Sequence, residues 1–213
     1  NLQMNGKQEM GTIIFVNNRM CVECISFCTK ICHNVRKRTG RKEMYNMNKI
    51  YDKVQECYKQ VKKMTDFKPQ VALVLGSGLG DYAEKIKIET VIDYHEIKGF
   101  PVSTVQGHKG RFVLGYVEDI PVMIMEGRVH YYEGYSMSDV VLPIRLMKMM
   151  GAEILFLTNA SGGIHRGFEA GDFMMITDQI ASFVPSPLIG PNIEEFGERF
   201  PDMSHIYDEE LQE

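Results

Sequence analysis

Hydrophobic positions along this chain follow two rhythms. Ile50, Val54, Cys57, Val61 and Met64 recur at steps of four, three, four and three, which predicts an amphipathic helix of about four turns. Asp66 to Pro69 should end it. Short continuous apolar runs follow at Val71–Leu75, Pro121–Met125 and Ile154–Leu157, and such runs read as buried strands. Arg111–Val117 and Phe173–Ile176 give two more strands, and the alternation over Lys85–Ile92 predicts a half-exposed one. Ser138 to Met150 reads as a helix, with Ser138 as N-cap, Pro143 near the first or second turn and Gly151 as the stop. Residues 185–201, rich in Pro, Gly and charge, should form a long loop. Tyr207–Leu211 looks like the start of a helix that no stop signal follows, so the end of the chain reads as a truncation.

The chemistry gathers where strands end. Four turns compete for one site: Gly76–Gly80, Gly107–Gly110, Gly127–Tyr135 and Asn159–Gly163, three of them directly after apolar runs. Strand ends of this kind open onto the mouth of an α/β sheet. Gly76-Ser-Gly-Leu-Gly80 matches neither the dinucleotide fingerprint nor the P-loop. It reads equally as a phosphate cradle, with backbone N–H groups and the Ser77 hydroxyl, or as a tight turn. Arg128 offers a planar fork for two anion oxygens, His130 a ring nitrogen, and Tyr131, Tyr132 and Tyr135 amphipathic faces suited to a sugar or base. The bland reading is a loop with a surface Arg and packed tyrosines. His108 sits in a glycine turn, where a histidine is usually inert. The inventory suits phosphate and contains no Ser or Cys nucleophile beside a base and no clustered metal ligands.

Composition divides the chain in two. Residues 1–46 carry eight Lys/Arg against three Asp/Glu, a net of +5, leaving 16 against 25, a net of −9, for the rest. An acidic body argues against nucleic acid as a partner, and no apolar run reaches membrane-spanning length. Cys21, Cys24, Cys28 and Cys32 lie in the first segment at helical spacing, so a metal-binding regulator is conceivable, although the spacing matches neither a zinc finger nor a ferredoxin run. Cys57 is the single cysteine of the body, which fits a reducing cytoplasm. Met47 opens a regular segment, so residues 1–46 are expected to be a non-native or disordered leader and residues 47–213 the domain.

Taken together, Gly76-Ser-Gly-Leu-Gly80, Gly107-His-Lys-Gly-Arg111, Gly127-Arg-Val-His-Tyr-Tyr-Glu-Gly-Tyr135, Thr158-Asn-Ala-Ser-Gly-Gly163 and Gly190-Pro-Asn192 followed by Phe196-Gly-Glu-Arg-Phe-Pro-Asp-Met-Ser204 resemble, in that order, the trimeric purine nucleoside phosphorylases. Ser161 stands where many members have Ala. The resemblance implies a three-layer α/β/α fold around a central twisted mixed β-sheet, a homotrimer, and a cytoplasmic enzyme of purine salvage. It implies phosphorolysis of purine nucleosides and 2′-deoxynucleosides to free base and the sugar 1-phosphate, with phosphate as co-substrate and no cofactor or metal. By the same resemblance Ser77, His108, Arg128, His130 and the Ala160 backbone bind phosphate, with Arg128 and His130 as the catalytic pair. Tyr132 would touch the ribose and Phe200 would enter a neighbouring subunit's ribose pocket. The family's purine-gripping residues fall beyond Glu213, so this chain is expected to have little activity by itself. A methylthioadenosine phosphorylase-like enzyme and an inactive phosphate- or nucleoside-binding fragment are the alternatives.

Overall fold

The structure, a computed structural model, describes residues 10–16, 40–104, 109–181 and 184–213, with the backbone alone for 10–16 and 40–48. Seven strands form one mixed sheet: β1 (Met10–Val16), β2 (Val71–Leu75), β3 (Lys87–Asp93), β4 (Arg111–Val117), β5 (Ile120–Glu126), β6 (Ile154–Ser161) and β7 (Phe173–Met175). Their spatial order is β3-β4-β5-β2-β6-β1-β7. β3, β4 and β5 form an antiparallel meander, and β5, β2 and β6 run parallel at the centre. β1 lies antiparallel to β6 and parallel to β7. The result is an α/β fold with a central mixed sheet and flanking helices.

The helices are α1 (Gly40–Met64), the single turn α2 (Met137–Val140) and α3 (Leu142–Met149). α1 starts before the expected first turn and passes through Met47 without a break, and β1 also precedes Met47. Val54, Cys57 and Val61 of α1 are fully buried, while Met64 at the end of the same stripe is 42% exposed. They pack with Leu146 and Met147 of α3 over Ala72, Val74, Met123 and Met125 of the sheet. Tyr94, Phe100 and Phe112 close this core, with ring centroids 4.8 to 5.4 Å apart.

The other face buries Leu75, Ala83, Val113, Val122 and Ile124. Beside them an open apolar groove of about 510 Å³ runs along Val71, Leu73, Tyr82, Val122 and Phe156.

The helix expected over Ser138–Met150 is two pieces that meet at Val141, and its cap is Ser136, not Ser138. Ser136 Oγ accepts from the Asp139 N–H, three residues on, as an N-cap hydroxyl does. Pro143, at the start of α3, is where a proline costs a helix least because no N–H is required there. β6 continues to Ser161, so Thr158 to Ser161, read as a turn from their small side chains, are strand residues paired with β1. The 185–201 loop contains one 3-10 turn, Glu194–Phe196, and the expected final helix is a 3-10 turn at Glu210–Gln212.

Candidate functional site

β2 and β5 end side by side, next to the point where β6 stops pairing with β2. Leu75 of β2 pairs with Glu126 of β5, and Val74 pairs with Leu157 of β6, so Gly76 and Gly127 follow the two strand ends beside Thr158, which is still within β6. The carboxyl ends of such strands are where open α/β sheets bind ligands.

Thr158 is the joint of these strand ends. Its buried hydroxyl donates to the Val74 carbonyl at 3.0 Å and accepts from the Gly76 N–H at 2.8 Å. Its carbonyl accepts from Arg128 Nη1 at 2.6 Å. Gly76 is required here by space: a Cβ would lie 2.7 Å from Asn159 Cα and 2.8 Å from the Thr158 oxygen, both backbone atoms. Ser77 follows it, exposed, and Ala160 lies two residues beyond Thr158 on β6.

After β5 the chain makes a 3-10 turn at Tyr131–Glu133. Arg128 Nε donates to His130 Nε2 at 3.3 Å, and Glu133 Oε1 accepts from the His130 N–H at 2.8 Å and its Nδ1 at 2.9 Å. Nε2 can accept only if the ring proton is on Nδ1, so this pair of contacts selects one tautomer. The Tyr132 ring stacks on the imidazole, centroids 4.7 Å apart, with 74% of Tyr132 exposed. Burial lowers the Arg128 pKa, with a smaller opposing influence from Tyr132. A guanidinium starts so far above neutrality that it stays charged.

Glu133 is the centre of this turn. Its carboxylate also accepts from Ser103 Oγ and from the N–H and hydroxyl of Thr104. Burial alone would raise its pKa, but the hydrogen bonds from Thr104 and His130 override burial and hold it at about 2. Tyr135 ties the same two segments together: its hydroxyl donates to the Val102 carbonyl at 2.6 Å and accepts from the Val102 N–H at 3.2 Å.

Of the residues expected in the site, Arg128 and Tyr132 both contact His130. Ser77 and the Ala160 strand are brought to them through Thr158. Phe200 is 84% exposed with the Arg199 guanidinium 5.5 Å from its ring, and no described contact joins it to the Arg128–His130 pair. His108 and Cys21, Cys24, Cys28 and Cys32 lie outside the described residues. Thr158, Glu133 and Tyr135 have positioning roles that sequence reasoning missed. Only Glu133 carried a signal, a Glu three residues after the first position of a turn. Among the described residues no group of three or more His, Cys, Asp or Glu could hold a metal ion, and no helix is long and apolar enough to cross a membrane.

Known proteins are similar to this chain in sequence and fold. Purine nucleoside phosphorylase 1 of Bacillus subtilis is 48% identical over 160 residues, covering 75% of this chain and 59% of the relative. The mouse purine nucleoside phosphorylase is 45% identical over 166 residues, covering 76% and 57%. Isoform 2 of the Schistosoma mansoni enzyme, solved with cytosine and ribose-1-phosphate, superposes with a TM-score of 0.67 at 41% identity, over 76% of this chain and 58% of that one. The chain thus spans less than three fifths of the length of these relatives. The family model for the phosphorylase superfamily matches residues 70–213, and this chain belongs to that superfamily.

Proposed function

We propose that the whole protein catalyses phosphorolysis of purine nucleosides and 2′-deoxynucleosides, yielding the free base and the sugar 1-phosphate. The observation that carries this reading is the meeting of the Gly76 turn and Arg128 at Thr158, with His130 bonded to Arg128, where β2 and β5 end beside β6. It gives an anion a guanidinium fork, an imidazole nitrogen and a glycine turn, on a scaffold whose relatives bear this activity in their names.

Phosphate is the nucleophile. One of its oxygens attacks C1′, the bond from C1′ to the purine breaks, and its electron pair leaves with the base, which is then protonated. The sugar passes through a cationic, oxocarbenium-like state, so the protein's task is to hold an anion beneath it in the right orientation. Arg128 supplies charge and bidentate geometry. His130 Nε2, which accepts from Arg128 Nε, would exchange that contact for the O–H of hydrogen phosphate when the anion binds, with Nδ1–H still held by Glu133. Ser77, His108 and the Ala160 N–H would complete the phosphate shell, and the exposed Tyr132 face would lie against the ribose. Phosphate is a co-substrate, and the reaction needs no cofactor. A cytoplasmic homotrimer completes the proposal, with the exposed Phe200 ring entering the neighbouring subunit's ribose pocket.

The test is phosphate-dependent release of hypoxanthine from inosine by the full-length gene product. Release that requires phosphate supports the reading. A folded protein that binds phosphate without cleaving inosine would make it a binding module.

A further inference from the structure

A second charged cluster lies beside the site, and the reaction does not use it. Glu126 is the last residue of β5, two before Arg128, and is 3% exposed. Its carboxylate receives Arg111 Nε at 2.7 Å and Lys109 Nζ at 3.1 Å. The same two cations reach Glu84, Lys109 at 2.5 Å and Arg111 at 3.7 Å. Glu84 ends the 3-10 turn Gly80–Glu84, which leads directly out of the Gly76–Gly80 turn. A Cβ on Gly80 would lie 3.3 Å from Glu126 Oε1, so the carboxylate is packed under that turn. Across the sheet Glu126 pairs with Arg111 on one side and Leu75 on the other. The Gly110 carbonyl accepts from the Tyr94 N–H at 2.9 Å, which fixes the backbone between the two cations.

We infer that Glu126 is a positioning residue. Through Lys109, Arg111 and Glu84 it locks the Gly76–Gly80 turn in register with the Gly127–His130 turn, so that both halves of the anion site keep one spacing. A carboxylate this close to an anion site is otherwise a liability, because it repels the ligand. Its burial with two cations is consistent with a role in specifying geometry, a use to which buried ion pairs are put in some proteins.

The inference rests on the phosphate reading for its meaning, and its test is arranged to stand apart from it. Glu126→Gln is compared with the unsubstituted chain by hydrogen exchange and by titration with inorganic phosphate. Expected are at least tenfold faster exchange at residues 78–84 and 127–130, with protection in β3 and β4 retained, and at least tenfold weaker phosphate binding. Through-space electrostatics alone predicts the opposite sign, tighter binding once the negative charge is gone. Unchanged exchange in the two turns, or unchanged or tighter phosphate binding, would overturn the inference. Should E126Q fail to fold, Lys109→Met keeps the buried Glu126–Arg111 pair, and faster exchange confined to residues 80–84 is expected; no change there overturns it equally. If the unsubstituted chain binds no phosphate, the proposed function of the whole protein is still decided by its own inosine test, and the exchange comparison decides the coupling.

Discussion

Glu133 holds His130 at two points, accepting from the main-chain N–H at 2.8 Å and from ring Nδ1 at 2.9 Å. Five donors converge on that buried carboxylate, three of them from Ser103 and Thr104. The orientation of the imidazole is therefore set by the Glu133 carboxylate, as carboxylates orient catalytic histidines elsewhere.

Acid should release this clamp. The folded Glu133 carboxyl titrates at about 2 against an ordinary 4.5, so its contribution is present above 4.5 and is lost as pH falls toward 2. Between pH 5 and pH 3 the unsubstituted chain is expected to lose roughly 2 kcal/mol that Glu133→Gln does not lose. Urea unfolding at the two pH values measures the difference. Equal losses in both proteins would show that the carboxylate is not the source.

Arg128→Lys keeps a positive charge but loses the fork and the bond to the Thr158 carbonyl. In the full-length protein, kcat/KM for phosphate should fall by roughly 10²–10³, the scale seen when one donor to a reacting anion is removed. A Lys variant within threefold of the parent would mean that charge alone suffices.

Thr158→Val preserves shape and removes the hydroxyl that bridges Val74 and Gly76. The half-buried Gly76 N–H and the buried Val74 carbonyl then lose this partner, at about 1–3 kcal/mol for a buried group. Thermal unfolding should show the loss, and phosphate affinity should fall with it, because Gly76 is no longer held.

Gly76→Ala tests the close approach of two backbones. The added methyl meets Asn159 Cα and the Thr158 oxygen, neither of which can swing aside. A loss of about 1–3 kcal/mol is expected from this overpacking. Gly78→Ala is the useful contrast: nothing lies within 4 Å of its Cβ, and its cost comes from φ of +84°.

Much of this was legible in the chain because burial writes a simple pattern. β2, β5 and the first half of β6 carry continuous apolar runs, and Val54, Cys57 and Val61 mark the buried face of α1 through their spacing. The turns of the candidate site were legible as glycine and small-residue motifs after apolar runs. What escaped depended on partners far along the chain. Thr158 to Ser161 look like turn residues and are held extended by pairing with Met10 to Ile13. Arg145 is buried with its guanidinium 4.4 Å from the Phe196 ring, a contact across 51 positions that no local periodicity encodes. Ser136 and Ser138 are equally good caps in isolation, and Asp139, three residues after Ser136, favours the earlier one.

The joint at Thr158 also dictates when the site can exist. Its bond to Gly76 spans 82 residues and its bond to Arg128 spans 30, whereas β3, β4 and β5 follow one another as an antiparallel meander. Chain closure favours the local contacts first. A nascent or partly refolded chain is thus expected to acquire its meander early and the bonds that meet at Thr158 last. Pulse-labelled refolding should show β4 and β5 protected before the Gly76 amide. The Thr158 joint then serves as a completion mark, present only in molecules whose central strands have all docked.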